Sequence, residues 1–201
     1  MKSETMELHK KKAPIKVSCG VITLSDRFSN DKEGEEKDLS GKYLKEELAK
    51  KYDVDAYAII PDEMDTLRNT IEEMIDNGIE VIITTGGTGL ESRDITIETI
   101  EPLFEKEIKG FGEIFRAISY EELGAGSLLS RATAGIYRKT MIFAMPGSPN
   151  AVKTGLGIII DEFVSQIEKQ YFIKETIIEY QKREKEIPKE FQESIINSLS
   201  L

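Results

Sequence analysis

Thr84-Thr-Gly-Gly-Thr-Gly89 places three glycines within four residues, directly after an apolar, β-branched run. Glycine lets a backbone turn tightly and approach a ligand with no Cβ in the way. Successive amide N–H groups in such a turn can point at an anion. The stretch is not a Walker A loop, because no Lys-Ser/Thr follows at the required spacing, and it does not fit the dinucleotide fingerprint. A plain strand-to-helix turn is the competing reading, although ordinary turns rarely need so many glycines.

Arg93-Asp94 follows, ahead of Thr96 and a helical pattern. An Asp in that place reads by itself as an N-cap. Asp62, behind Pro61 at the end of another apolar run, changes the weighing. Two carboxylates on one rim can hold a Mg²⁺ that bridges phosphate oxygens. Pro61-Asp62 reads equally as a simple turn. Ser148, between Gly147 and Pro149 and just before a helical pattern, can offer its hydroxyl and N-terminal amides to a phosphate. A helix-capping region is its alternative.

Other chemistries are narrowed by what is scarce. The sequence has one histidine, His9, in the polar stretch ahead of the first apolar run, which removes Ser-His and Cys-His catalysis and the usual zinc sites. The single cysteine, Cys19, lies inside an apolar run, so a disulfide within the chain is excluded and a buried, inert thiol is expected. Carboxylates, hydroxyls, backbone amides, Lys/Arg and a hard cation are left to do the chemistry. A net charge of −10 argues against a nucleic-acid partner. No apolar run approaches the roughly 20 residues of a membrane helix, and the N-terminal stretch lacks the apolar core of a secretory signal. An intracellular, cytoplasmic protein is expected.

These residues need a frame to bring them together. Val17–Leu24, Val54–Ile60, Val81–Thr85 and Lys139–Met145 read as strands, the first and last buried and the third nearly continuous in β-branched residues. Between the first two, Ser25–Asp38 reads as a loop and Gly41–Lys51 as a helix capped by Ser40. Asp65 starts a helix with Leu67, Ile71, Met74 and Ile75 on one face, and Gly78 ends it. Ile95–Phe104, Gly112–Leu123 and Asn150–Tyr171 are further helical stretches. Strands alternating with helices at this spacing imply an α/β fold, a mostly parallel sheet in three layers with helices on both faces. Ligands bind beyond the C-terminal ends of such strands. Four strand ends run into Ser25-Asp26-Arg27, Pro61-Asp62-Glu63, Gly86-Gly87-Thr88-Gly89 and Pro146-Gly147-Ser148. One parallel sheet would bring all four to a single rim.

The ordered set Leu24-Ser-Asp-Arg27, Asp38-Leu-Ser-Gly41, Ile60-Pro-Asp-Glu63, Thr84-Thr-Gly-Gly-Thr-Gly89, Arg93-Asp-Ile-Thr96, Gly110-Phe-Gly-Glu113, Leu129-Ser-Arg131 and Met145-Pro-Gly-Ser148 resembles the molybdopterin adenylyltransferase family. This is the MogA/MoaB group of molybdenum cofactor biosynthesis, and Pro102–Pro149 is most similar to its MoaB branch. The resemblance covers roughly Val17 to Gln170, most of one domain.

The resemblance implies the molybdopterin-binding-like fold, a homotrimer or hexamer, and Mg²⁺, ATP and molybdopterin at the site. The terminal phosphate of the pterin would attack the α-phosphate of ATP, giving adenylylated molybdopterin and pyrophosphate, with hand-over to a molybdotransferase for metal insertion. By motif, Asp62 and Asp94 match the family's two functionally important aspartates. Thr85, Gly86, Gly87, Thr88 and Gly89, with Pro146, Gly147 and Ser148, match phosphate and pterin contacts. Ser25 and Asp26 match the loop beside the nucleotide, and Gly112 and Glu113 belong to a stretch that walls the pocket. A non-catalytic molybdopterin-binding or carrier protein of the same pathway is the alternative; it would keep the glycine loop without needing ATP. The expected organisation is a polar leader at 1–16, the molybdopterin- and nucleotide-binding domain at 17–172, and a charged extension at 173–201. In that extension Phe191, Ile195, Ile196 and Leu199 form one face of a short helix, docked on its own domain or reaching a neighbouring subunit.

Overall fold

A computed structural model of the chain describes residues 17–160, all of which fall within one compact unit. The expected leader, the part of the expected Asn150–Tyr171 helix beyond residue 160, and the expected charged extension with its Phe191–Leu199 face lie outside the described residues.

The sheet forms around three segments, Ser18–Leu24, Val81–Thr85 and Thr140–Met145, that are largely buried and must be covered on both faces, with the half-buried Asp53–Ile60 along one edge. Strands β1 (Ser18–Leu24), β2 (Asp53–Ile60), β3 (Val81–Thr85) and β6 (Thr140–Met145) run parallel, in the order β2-β1-β3-β6. Every residue of β3, which has a parallel neighbour on each side, is buried. Two short antiparallel strands, β5 (Thr133–Tyr137) and β4 (Lys106–Glu107), extend the sheet beyond β6. The mixed six-stranded α/β sheet is the mostly parallel one expected, with an antiparallel edge added.

Helices cover both faces. Those between β1 and β2 are α1 (Asp26–Ser29), α2 (Gly34–Lys37) and α3 (Leu39–Ala49). Then come α4 (Met64–Asp76), α5 (Thr96–Ile100), α6 (Lys109–Leu123) and α7 (Pro149–Ile158). Leu67, Ile71 and Met74 of α4 and Ile97 and Ile100 of α5 pack with Ile22, Ile82 and Ile142 in one apolar cluster. Phe111 and Phe115 of α6 are fully buried, and Phe111 meets Phe143 of β6 edge to face at 5.2 Å. Burying one such side chain stabilises by about 1.5–3 kcal/mol. Leu44 and Leu48 of α3 are fully buried, as their spacing requires. Cys19 is fully buried too, and burial pushes its thiol up to about 12, so it carries no thiolate at neutral pH.

Three expectations are corrected. Ser25–Asp38 is not a plain loop, since it contains the single-turn helices α1 and α2. Ser40 does not cap α3: Asp38 does, accepting from Gly41 N at 2.9 Å, while the Ser40 hydroxyl donates to Gly147 O at 2.8 Å. Ile95–Phe104 divides into α5 and a 3₁₀ turn over Glu101–Leu103, where Pro102 removes a backbone donor. The Gly78 stop is as expected. Gly78 N bonds Ile75 O and Ile79 N bonds Met74 O, which is the Schellman arrangement.

Register fixes the rim. Leu24 lies beside Ile60, Thr23 beside Thr85, and Thr85 beside Met145. The four parallel strands therefore end level, and the four loops that follow them start from one edge of the sheet.

Candidate active site

The glycine loop leaves β3 through two consecutive residues of positive φ, Gly86 (95°) and Gly87 (62°). A Cβ on Gly86 would collide with the backbone oxygen of Leu24, so only glycine fits there.

The loop's carbonyls are all occupied. Thr96 takes two, its hydroxyl donating to Gly86 O at 2.8 Å and its N–H to Gly87 O at 2.9 Å. Arg131 takes the next two, Nε donating to Thr88 O at 2.8 Å and Nη2 to Gly89 O at 2.5 Å. In a trans peptide the N–H points opposite to the C=O. The N–H groups of Gly87 and Thr88 therefore face away from Thr96, and those of Gly89 and Leu90 away from Arg131. None of these four has an acceptor among the described residues. Four consecutive free donors beside a fully engaged carbonyl edge suit an anion.

Two carboxylates back onto this loop. An added Cβ on Gly87 would lie 2.8 Å from Asp62 Oδ1, and one on Gly89 would lie 2.5 Å from Asp94 Oδ2. Each carboxylate uses Oδ2 as an acceptor for a backbone amide: Asp26 N to Asp62 at 3.0 Å, and Glu91 N to Asp94 at 2.9 Å. The two Oδ1 atoms have no donor among the described residues. Asp94 does not cap α5; Ile95 occupies the N-cap position and no side chain caps the helix. Its N–H instead bonds Glu91 O at 2.9 Å, so Asp94 closes a local turn from both sides.

Asp26 locks the first two loops together, accepting from Asp62 N at 3.1 Å while its own N–H binds Asp62. Arg93 forks onto Asp26 through Nε at 2.9 Å and Nη2 at 2.6 Å. The Arg93 hydrogen bonds hold the Asp26 carboxyl below its usual range. Asp62 shifts the other way, chiefly because burial penalises its charge, with Asp26 and Asp94 adding repulsion. A carboxyl raised above its unfolded pKa favours the native state most at acid pH, and that contribution is lost as pH rises through the folded value. At neutral pH the ionised Asp62 therefore works against stability. Asp62→Asn is expected to melt at or above the wild-type temperature at pH 7, with the difference shrinking as pH falls towards the ordinary carboxylate range. Paired melting curves across pH test this; a variant that melts well below wild type at pH 7 contradicts it.

Between the loops lies a cavity of about 350 Å³, lined by Ser25, Phe28, Ser40, Thr85, Gly86 and Gly147 among others. Ser25 Oγ caps α1 by accepting from Phe28 N at 3.2 Å. The Ser148 hydroxyl likewise caps α7, accepting from Ala151 N at 3.3 Å, so the capping alternative holds for that side chain. The Thr85 hydroxyl donates to Pro146 O at 3.2 Å and ties β3 to the fourth loop. Gly112 and Glu113 are not brought here. They line a second cavity of about 310 Å³ with Lys109, Arg116 and Ala132, and the two linings share no residue. Sequence reasoning missed the roles of Arg131, Thr96 and Arg93. The charges of Arg131 and Arg93 were the available signal.

Among the described residues no group of three or more His, Cys, Asp or Glu could hold a metal ion. Two carboxylate oxygens without donors, each beside a turn with four free amides, fit a hard cation whose remaining ligands are phosphate oxygens and water.

Residues 20–166 match the family model described as "Probable molybdopterin binding domain". The chain belongs to this family. It is 50% identical over 161 residues to the molybdopterin adenylyltransferase of Pyrococcus furiosus, covering 78% of this chain and 93% of that protein. It is 42% identical to molybdenum cofactor biosynthesis protein B of Bacillus subtilis, covering 78% of this chain and 91% of that protein. Among solved structures, the tungsten cofactor synthesizing protein MoaB from P. furiosus superposes with a TM-score of 0.71 at 48% identity, over 79% of this chain and 98% of that one. A MogA structure superposes at 0.66 and 26% identity, over 76% and 98%. The expected molybdopterin-binding fold is thereby established, and the glycine loop, Asp62 and Asp94 all lie within the matched stretch of this molybdopterin-binding family member.

Proposed function

We infer that this protein transfers an adenylyl group to molybdopterin in molybdenum cofactor biosynthesis. Relatives at 50% and 44% identity are named molybdopterin adenylyltransferase and probable molybdopterin adenylyltransferase. The observation that carries the reading is the four-amide turn flanked by Asp62 and Asp94. It is a phosphate site whose own carboxylates repel phosphate unless a cation intervenes. ATP supplies both the phosphate chain and, as its Mg²⁺ complex, the cation; Oδ1 of Asp62 and of Asp94 would hold the ion. Bound there, the ion supplies charge neutralisation along the phosphates.

The chain's own residues orient and stabilise. The nucleophile is a phosphate monoester already ionised at neutral pH, so no histidine base is needed. Its oxygen bonds to the α-phosphorus of ATP as the bond from that phosphorus to the bridging oxygen breaks, and pyrophosphate leaves with the electron pair. The free amides of the glycine loop stabilise negative charge on the transferring phosphates, and rigid strand ends align the two substrates. The cavity beside Phe28 and Thr85 has room for part of a substrate. Adenylylated molybdopterin then passes to a molybdotransferase. A cytoplasmic location, where ATP is supplied, is part of this reading.

Incubation with molybdopterin, ATP and Mg²⁺ is expected to yield adenylylated molybdopterin and pyrophosphate in equal amounts. Tight pterin binding with no nucleotide binding and no product would establish the carrier alternative instead. A homotrimer or hexamer belongs to the same proposal. It is supported by an exposed apolar strip over Ile114, Ile118, Leu123, Leu128 and Leu129, since monomers seldom leave such patches bare. Sedimentation showing only a 22.7 kDa species at micromolar concentration would end the assembly proposal.

A further inference from the structure

We propose that Arg131 is a positioning residue for the phosphate site: it touches no substrate, and it aims the amides of Gly89 and Leu90 by holding the carbonyls of Thr88 and Gly89. The proposal deepens the adenylyl-transfer reading and rests on its phosphate site. Arg131 begins next to β5, on the antiparallel part of the sheet, and reaches back across β6 to the loop after β3. Nε and Nη2 go to the two carbonyls, and Nη1 meets Glu98 Oε1 at 2.5 Å. Nη2 also lies 3.3 Å from Glu98 Oε2. The guanidinium thus has one edge on the loop and the other on Glu98, which is itself fixed in α5.

Three physical consequences follow. First, Thr88 O and Gly89 O cannot rotate without abandoning charge-assisted hydrogen bonds, so the antiparallel N–H groups are held in place before any ligand arrives. Second, a cation on a carbonyl polarises the whole peptide and strengthens the N–H at its far end as a donor. Third, the charge of Arg131 is passed to the anion site through peptide dipoles, without a cationic side chain occupying space in it. Thr96 does the same for the Gly87 and Thr88 amides with neutral donors. Both halves of the turn are thus referred to α5, one directly through Thr96 and one through Arg131 on Glu98.

A fork is needed for this, not merely a charge. Lysine presents a point charge and cannot span two carbonyls and a carboxylate in one plane. Were Arg131 to act only as a positive charge near the site, lysine would retain much of its effect.

The test is binding of pyrophosphate, supplied with Mg²⁺, to the full chain by calorimetry, for wild type, Arg131→Ala, Arg131→Lys and Glu98→Gln, with and without added guanidinium ion. Arg131→Ala is expected to lose roughly 10²-fold in affinity, the scale of a lost preorganised donor set. Arg131→Lys is expected to lose nearly as much, and Glu98→Gln less. Guanidinium ion should restore most of the loss to Arg131→Ala and nothing to Arg131→Lys, whose side chain fills the space. Amide NMR should show Gly89 and Leu90 as the backbone signals most displaced in the folded Arg131→Lys protein. Lysine retaining near-wild-type affinity would overturn positioning in favour of a plain charge effect. Wild-type protein that fails to bind pyrophosphate in the presence of Mg²⁺ would overturn the cradle and the role of Arg131 together. Arg131-dependent pyrophosphate binding in a protein that makes no adenylylated pterin would uphold this inference and defeat the proposed activity.

Discussion

Asp94→Asn is expected to fold normally, melt within a few degrees of wild type and lose on the order of 10²–10³ in adenylyl-transfer rate. The side chain does two separable things. Oδ2 accepts from Glu91 N at 2.9 Å and helps close the Glu91–Asp94 turn. The amide oxygen of asparagine accepts equally well, so the turn survives. Oδ1 has no donor among the described residues, and it stands beside the glycine loop. Asparagine removes the negative charge there while hardly changing shape. Helix capping is no longer a competing explanation, because Ile95, not Asp94, holds the N-cap position of α5. Asp62→Asn should lose rate similarly, and the double variant should lose less than the sum of the two in free energy if both carboxylates serve one ion. Single-turnover pyrophosphate release, run beside a melting curve for each protein, reads both quantities. Turnover near the wild-type rate in Asp94→Asn refutes the catalytic assignment.

Much of this site was legible before any coordinates, and the reason is the sheet. Runs such as Val81–Thr85 are apolar on both faces, which only an interior parallel strand tolerates, and parallel strands deliver their following loops to one rim. Once Leu24, Ile60, Thr85 and Met145 are placed at strand ends, Asp62 and the glycine loop share one rim; their contact across the end of β1 follows from the strand order β2-β1-β3. The antiparallel edge was not legible for an equally physical reason. β5 and β6 are joined by a two-residue turn through Arg138 and Lys139, both at positive φ (48° and 72°). Such turns are read from Asn-Gly or Asp-Gly, and Arg-Lys gives no such signal. Its strain is offset by contacts distant in sequence, with Arg138 reaching Asp76 at 2.7 Å and its N–H reaching Glu105 at 3.2 Å. The cap of α3 failed in the same way. Ser40 and Asp38 are both good caps by type, and the choice is made by Tyr57, whose hydroxyl donates to Asp38 Oδ2 at 2.6 Å from the neighbouring strand. Arg131 belongs with these cases. Its partners, Thr88, Gly89 and Glu98, are more than 30 positions away, and local pattern carries no trace of them.

Alanine at two glycines of the loop is expected to fail in two different ways, and the contrast separates folding from chemistry. At Gly86 the backbone sits at φ 95°, which side chains rarely adopt, and the new Cβ would meet the Leu24 carbonyl, part of the adjacent strand. Neither neighbour can give without breaking the β1–β3 pairing or moving the first turn of the loop. Strain at such a φ and overpacking against backbone each cost roughly 1–3 kcal/mol, a large part of a domain's whole margin. Gly86→Ala is therefore expected to be poorly folded or to melt many degrees low. Gly89 differs, because it does not lie in the left-handed region and its Cβ would meet a side chain, Asp94 Oδ2 at 2.5 Å. The carboxylate can swing away, at the cost of its bond to Glu91 N and its place beside the loop. Gly89→Ala is expected to keep most of its stability and lose turnover as severely as Asp94→Asn, with no further loss when the two changes are combined. Melting curves and single-turnover rates for Gly86→Ala, Gly89→Ala and the Gly89→Ala/Asp94→Asn pair decide it. Full activity in Gly89→Ala would show that Asp94 need not stand against the loop for the reaction to proceed.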